Sequence, residues 1–151
     1  MNTFLEQITA LADETDGIAA LSNLSSALKL HDTQLNWAGF YIVRCDELVL
    51  GPFQGKPACT HIAFTRGVCG SCFREKEAIS VDDVSQFCDH IACDSASRSE
   101  LCVPIIINDS VYALIDLDSD QVSHFSEEYK KEMLQAAEII GTAWQHHSWN
   151  I

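Results

Sequence analysis

The sequence has no long apolar run, and no stretch approaches the ~20 consecutive apolar residues that a membrane-spanning helix needs. Residues 1–6 also lack the basic segment, apolar segment and small-residue cleavage site that mark a secretory signal. Without either feature, we expect the protein to reside in the cytoplasm.

Basic residues are scarce as well. The chain has 9 Lys and Arg against 22 Asp and Glu, which gives a formal net charge of −13. This balance argues against binding to nucleic acid, which requires cationic side chains at the phosphates, and against binding to an anionic membrane.

Glycine and proline are also few, with 7 and 3 in 151 residues, and no linker or repeat divides the chain. A chain of this length and 47% hydrophobic composition can bury a core without disulfide staples. We therefore expect a single domain over residues 1–151.

Cysteine, by contrast, is plentiful. There are seven cysteines, and an odd number in a reducing compartment does not suggest a structural disulfide framework. Cys45 and Cys102 lie in strand-like apolar runs, where free cysteines usually behave as buried hydrophobic residues.

The first part of the chain shows helical periodicity followed by strand-like runs. Apolar residues recur at helical spacings over residues 4–30, and the polar run 13–17 separates two helices. Residues 36–50 predict two strands joined by a turn. The Gly- and Pro-containing stretch 51–67 predicts a loop around a short strand at 61–64.

The second part predicts a short helix, three strands and a long helix. Residues 68–76 favour a helix and 78–81 a strand, while 101–107 and 111–117 favour a hairpin. Ser126 is a suitable N-cap for a closing helix with an apolar stripe. This order predicts an α+β fold: an antiparallel sheet with helices packed mainly on one face.

Three cysteines, Cys59, Cys69 and Cys93, lie in loop-like stretches, where catalytic groups are common. Two thiols brought together by folding can cycle between dithiol and disulfide, as reduction of a small oxidised substrate requires. Alternatives remain open for the Cys69-x-x-Cys72 spacing, which also occurs in zinc knuckles and thioredoxin-like pairs. The loop thiols could equally have no chemical role.

A second cluster is acidic. Asp116 and Asp118 end an apolar strand two residues apart, so both side chains lie on the same face, opposite Ile115 and Leu117. One interpretation is a strand end facing water. The other is a partly buried carboxyl pair, joined by Glu100, in which mutual repulsion keeps one carboxyl protonated near neutral pH.

Several separated motifs occur in an order that resembles the free methionine-(R)-sulfoxide reductases, GAF-fold enzymes that act on the free amino acid. The resemblance covers nearly the whole chain and implies a single GAF-like domain. The matching segments are residues 21–23 (LSN), 36–41 (NWAGFY), 51–55 (GPFQG), 58–59 (AC), 67–70 (GVCG), 90–94 (HIACD), 97–100 (SRSE) and 116–118 (DLD).

The resemblance implies roles for the three loop cysteines. Cys93 matches the thiolate that attacks the sulfoxide sulfur, and Cys59 matches the residue that resolves the resulting sulfenic acid as an intramolecular disulfide. Cys69 matches the third cysteine of the family, so the choice of resolving residue between Cys59 and Cys69 stays open. Cys72 and Cys88 are outside the family pattern.

The resemblance also implies the rest of the site. Glu100 and Asp118 would hydrogen-bond the sulfoxide oxygen, one of them protonated, and Asp116 would bind the substrate ammonium. Trp37 and Tyr41 share a strand face and would form walls for the S-methyl group. No metal and no cofactor is implied.

The expected activity is thus reduction of free L-methionine-(R)-sulfoxide to methionine, with thioredoxin as the reductant. Pairing into a homodimer is a further expectation from the resemblance. The alternatives are a non-catalytic GAF sensor that binds a small ligand or responds to oxidants, and a zinc-binding interaction module.

Overall fold

The computed structural model describes residues 2–87 and 96–151, which form an α+β fold. The helices are α1 (Thr3–Ala12), α2 (Gly17–His31), α3 (Gly67–Glu75) and α4 (Glu127–His147), with a 3₁₀ turn at Val84–Gln86. The strands are β1 (Leu35–Arg44), β2 (Glu47–Gln54), β3 (His61–Ala63), β4 (Ile79–Val81), β5 (Ser99–Ile107) and β6 (Ser110–Ser119).

The strands form one sheet in the order β3-β2-β1-β6-β5-β4, and every neighbouring pair is antiparallel. The central strands β1, β6 and β5 are the longest paired segments, so they provide the rigid floor on which functional side chains can be placed. The α+β prediction is confirmed.

The two faces of the sheet have different partners. One face of the central strands packs against α2 and α4, and α1 packs on these two helices, so that together they enclose the main apolar core. The opposite face is covered by α3 together with the segment around Cys59. Side chains that alternate toward the main core are Ala38, Phe40, Ile42, Leu101, Val103, Ile105, Ala113, Ile115 and Leu117.

Local sequence signals set the helix boundaries. The predicted N-cap, Ser126, accepts a hydrogen bond from the Tyr129 backbone N–H over 3.1 Å and begins α4. Asn2 and Asp16 cap α1 and α2 in the same way. Such caps satisfy amide groups that have no partner within the helix.

Two expectations from the sequence were wrong. The stretch 51–54 continues β2 instead of forming a loop, because Pro52 falls at a bulge in the β1–β2 ladder where no paired N–H is needed. Cys45 is exposed in the turn after β1 with φ 50°, whereas Cys102 is fully buried in β5 as expected.

Within the described residues, no helix combines the length and the apolar character needed to cross a membrane.

Candidate active site

The floor of the site consists of two rows of side chains across three strands. Asp118 of β6 pairs with Glu100 of β5 on one side and with Trp37 of β1 on the other. In the adjacent row, Asp116 pairs with Cys102 and with Gly39. Because successive side chains of a strand alternate, both rows face away from the main core.

Helix α3 and the segment before β3 close this floor into a small, partly open pocket. Cys69 lies in the first turn of α3 and faces the carboxylates. The described lining residues are Trp37, Tyr41, Pro57, Ala58, Ile62, Arg66, Gly67, Val68, Cys69, Ser97, Glu100, Asp116 and Asp118.

The ionisable side chains in the pocket are in direct contact with one another. The Cys69 Sγ lies 2.9 Å from the Cys102 Sγ and 3.9 Å from Glu100 Oε2. The Cys102 thiol donates to Asp116 Oδ1 over 3.4 Å. These four side chains are buried, and their ligand-type atoms all lie within 4.8 Å of one another.

The surroundings of Glu100 favour its protonated form. Burial raises the pKa of Glu100 well above its usual value, and the neighbouring Asp116 and Asp118 carboxylates raise it further. Its carboxyl group also shares a hydrogen bond with Asp116, which favours the neutral acid. A carboxyl group that is neutral near pH 7 can donate a hydrogen bond and a proton to a ligand.

The Cys69 thiol is also held in its neutral form. Its contact with Cys102 lowers the pKa of Cys69, but burial and the charge of Asp116 outweigh this contact and raise it to about 12. Since the thiolate is the nucleophile, Cys69 is poorly suited to make the first attack at neutral pH.

Trp37 and Tyr41 form the aromatic wall of the pocket. Their rings stack with centroids 6.0 Å apart, and Trp37 also stacks on Phe53 at 5.2 Å. Trp37 Nε1 donates to the carbonyl of Lys56 over 3.0 Å, and the Tyr41 hydroxyl donates to the carbonyl of Cys59 over 2.9 Å. The wall therefore anchors the segment that carries Cys59.

Gly55 permits this wall to form. Its φ is +137°, a conformation that other residues rarely adopt. A Cβ at this position would lie 2.6 Å from Trp37 Cδ1 and 2.9 Å from the Asn36 carbonyl oxygen. Only glycine lets the backbone pass this close to the Trp37 ring.

Comparison with known proteins identifies the family to which this pocket belongs. The chain matches the GAF domain family over residues 16–144. It is 42% identical over 125 residues to the free methionine-R-sulfoxide reductase of Escherichia coli (strain K12), covering 83% of this chain and 76% of that protein. The chain belongs to the GAF-domain family of free methionine-(R)-sulfoxide reductases.

Two further comparisons agree. The chain is 41% identical over 135 residues to the free methionine-R-sulfoxide reductase of Saccharomyces cerevisiae, covering 84% of this chain and 75% of that protein. The structure of the Neisseria meningitidis free methionine-R-sulfoxide reductase in complex with its substrate superposes with a TM-score of 0.92. The identity to that protein is 40%, covering 95% of this chain and 87% of the other.

The structure brings together most of the side chains that the resemblance to the reductase family singled out. Trp37, Tyr41, Cys69, Glu100, Asp116 and Asp118 all line the pocket. The water-facing alternative is wrong for Asp116, which is 5% exposed. Cys59 is partly buried and packs against the apolar cluster that contains Trp37 and Tyr41. Cys93 lies outside the described residues.

The described cysteines of this reductase-family chain differ in oxidation state. Cys59 is disulfide-bonded, whereas Cys45, Cys69, Cys72 and Cys102 are free thiols.

Three pocket features were not predicted from the sequence as parts of the site. Arg66, immediately before α3, and Ser97 line the pocket, and Cys102 lies beneath it in contact with Cys69 and Asp116. Cys102 could have been found, because it is two residues after Glu100 on the same strand and so shares its face. No local signal marked Arg66, and Ser97 was noted only as the first residue of the matching segment 97–100.

Proposed function

We propose that the protein reduces free L-methionine-(R)-sulfoxide to L-methionine with its own cysteine thiols. The observation that carries this proposal is the buried Glu100 carboxyl, whose pKa is raised by burial and by Asp116 and Asp118, under an aromatic wall. A sulfoxide oxygen becomes a good leaving group only when it is protonated, and such an acid supplies the proton. The relatives named as free methionine-R-sulfoxide reductases support the same substrate.

The pocket has groups that suit each part of a free amino acid. The Asp116 carboxylate would accept the substrate ammonium, an interaction that peptide-bound methionine sulfoxide cannot make. The guanidinium of Arg66 is a cation among the described lining residues and suits the substrate carboxylate. The stacked rings of Trp37 and Tyr41 would enclose the S-methyl group.

The chemistry then follows in three steps. The Cys93 thiolate attacks the sulfoxide sulfur, and the S–O bond breaks as the oxygen takes protons from Glu100 and solvent, with Asp118 as a second hydrogen-bond partner, and leaves as water. Water then attacks the Cys93 sulfur and the new S–S bond breaks, with its electron pair returning to the methionine sulfur. Methionine and a Cys93 sulfenic acid result. The Cys59 thiol then attacks the sulfenic sulfur and releases water as the Cys59–Cys93 disulfide forms.

The state of Cys59 supports its role as the resolving residue. Cys59 is disulfide-bonded, while Cys69 is a free thiol held neutral by its surroundings. We therefore place Cys59 before Cys69 as the partner of Cys93. A dithiol protein of the thioredoxin type, in the cytoplasm, would restore both thiols by disulfide exchange.

Steady-state turnover with separate substrates tests the proposal. The purified protein is supplied with thioredoxin, thioredoxin reductase and NADPH, and receives either free epimer or a peptide containing methionine-(R)-sulfoxide. We expect NADPH consumption with the free R epimer alone. Equal activity with the S epimer or with the peptide would contradict the assigned substrate, and no activity with any of them would favour a non-catalytic GAF sensor.

A further inference from the structure

Beneath the pocket, Cys69, Cys102, Glu100 and Asp116 place two sulfur and two oxygen donors within 4.8 Å of one another. We propose that these four side chains form a Zn²⁺-binding site that blocks the pocket when it is occupied. Zn²⁺ is commonly held by cysteine sulfur and carboxylate oxygen in a four-coordinate tetrahedral arrangement.

The distances suit this ion. At Zn–S and Zn–O bond lengths of about 2.3 and 2.1 Å, the ligand atoms of a tetrahedral site lie roughly 3.4–3.8 Å apart. The observed separations are 2.9 Å for Cys69–Cys102, 3.4 Å for Cys102–Asp116 and 3.9 Å for Cys69–Glu100. These three separations differ from the tetrahedral values by less than about 1 Å, and the remaining ligand-atom separations are no more than 4.8 Å.

The ligands are also held in position by the fold. They come from three elements that pack on one another: Cys69 from α3, Glu100 and Cys102 from β5, and Asp116 from β6. Cys102 and Asp116 are paired residues on adjacent strands, so their spacing is set by the sheet. A site built on regular elements loses little conformational freedom when the ion binds.

The charges of the four side chains also favour binding of Zn²⁺. Two thiols and two carboxyls meet in a buried space, and burial together with the neighbouring Asp116 raises the pKa of Glu100 and that of the Cys102 thiol. A divalent cation reverses this penalty, because the thiols lose their protons to solvent and bind as thiolates. Three of the ligands line the pocket, which gives the ion a path from solvent, and Cys102 lies at the bottom.

Binding would have one consequence for the proposed function. Asp116 and Glu100 are the groups assigned to the substrate ammonium and the sulfoxide oxygen, so bound Zn²⁺ and substrate would exclude each other. This consequence, competitive inhibition, rests on the proposed function. Zn²⁺ binding itself does not.

The test measures Zn²⁺ affinity of the fully reduced protein by competition with a chromophoric chelator under anaerobic conditions. We expect one high-affinity ion per chain and at least about a 100-fold loss of affinity in Cys102→Ser, since loss of supporting groups alone costs about 10- to 100-fold. Cys45→Ser, which changes an exposed cysteine in the β1–β2 turn, is the matched control and should bind as tightly as the wild type.

Two variants separate this site from other thiols. A Cys59→Ser/Cys93→Ser double variant should retain the ion, and Cys72→Ser should keep its affinity within about tenfold, a change of 1.4 kcal/mol. Loss of the ion in the double variant would place it on the catalytic thiols, and loss in Cys72→Ser would place it on the C-x-x-C motif. Either result would overturn the proposal, as would unchanged affinity in Cys102→Ser.

An absorption spectrum of the Co²⁺-loaded protein distinguishes the loss of one ligand from misfolding of a variant. The thiolate-to-cobalt absorption should correspond to two sulfur ligands in the wild type and to one in Cys102→Ser. If Cys102→Ser does not fold, Asp116→Asn serves instead, with two sulfur ligands retained and the affinity lowered. None of these measurements uses turnover, so failure of the proposed reductase activity would leave them interpretable.

Discussion

The hydroxyl of Tyr41 donates a hydrogen bond to the backbone carbonyl of Cys59 over 2.9 Å. This bond ties the aromatic wall of the pocket to the segment that carries a cysteine assigned to the reaction. Trp37 makes the corresponding bond to the carbonyl of Lys56. The wall is therefore both a surface for the substrate and a support for the thiol.

Replacing Tyr41 by Phe tests this support. The ring stacking is kept but the carbonyl of Cys59 loses its donor, so we expect a loss of about 1 kcal/mol in the free energy of unfolding and a melting temperature lower by about 2–4 °C. Disulfide formation after substrate addition should also be slower, as followed by quenched-flow thiol titration. Tyr112→Phe, at a residue that is 41% exposed, is the matched control and should change neither quantity.

Replacing Glu100 by Gln tests the acid. Gln can hydrogen-bond the sulfoxide oxygen but cannot release a proton, so kcat should fall by about 10²- to 10⁴-fold. The wild-type rate should decline at alkaline pH as Glu100 loses its proton, and the variant should lack that decline. A variant with an unchanged rate and an unchanged pH profile would exclude Glu100 as the acid.

The same substitution should stabilise the fold. The pKa of Glu100 is raised by burial and by Asp116 and Asp118, so the folded state holds this proton more tightly than the unfolded chain. The wild type therefore loses stability as pH rises from the usual carboxyl value of 4.5 toward the raised folded pKa. Denaturant titrations should show that the free energy of unfolding of Glu100→Gln rises relative to that of the wild type over this pH range. A difference that stays constant with pH would contradict the raised pKa of Glu100.

Replacing Asp116 by Asn tests recognition of the substrate ammonium. Loss of a charged hydrogen-bond partner is worth about 1.5–3 kcal/mol, so KM for the free sulfoxide should rise roughly 10- to 150-fold. N-acetyl-methionine-(R)-sulfoxide, which lacks the ammonium, is the comparison substrate. The wild type should discriminate strongly between the two compounds and the variant should not. Retained discrimination would assign the ammonium to another residue.

Replacing Gly55 by Ala tests the passage of the backbone beside Trp37. A Cβ there has no room and the φ of +137° is unfavourable for Ala, so we expect a loss of about 1–3 kcal/mol in stability. The displaced Trp37 ring should also change the intrinsic fluorescence. Lys56→Ala, in the same segment, keeps the carbonyl that accepts from Trp37 and should leave stability and fluorescence unchanged.

Much of the fold could be predicted from local sequence signals. The period of two placed Asp116 and Asp118 on one face, and the Ser126 cap set the start of α4, because each signal acts within a few residues. The continuation of β2 through Pro52 could not be predicted, since the bulge that accommodates it depends on pairing with β1.

The site was predicted less completely, for a physical reason. The cross-strand register that brings Cys102 beside Asp116, and the packing of α3 that brings Cys69 to both, are long-range relationships. Cys102 therefore looked like an ordinary buried residue. Cys45 showed the opposite error: an apolar run around it suggested burial, but the turn after β1 exposes it.

A single-turnover reaction tests the central claim most directly. Reduced protein, freed of external reductant, is mixed with excess free L-methionine-(R)-sulfoxide, and methionine and the cysteine linkages are both quantified by mass spectrometry. We predict about one methionine per chain together with a Cys59–Cys93 disulfide, and no methionine from the S epimer. Absence of methionine, or methionine formed while Cys59 and Cys93 stay reduced, would contradict the account.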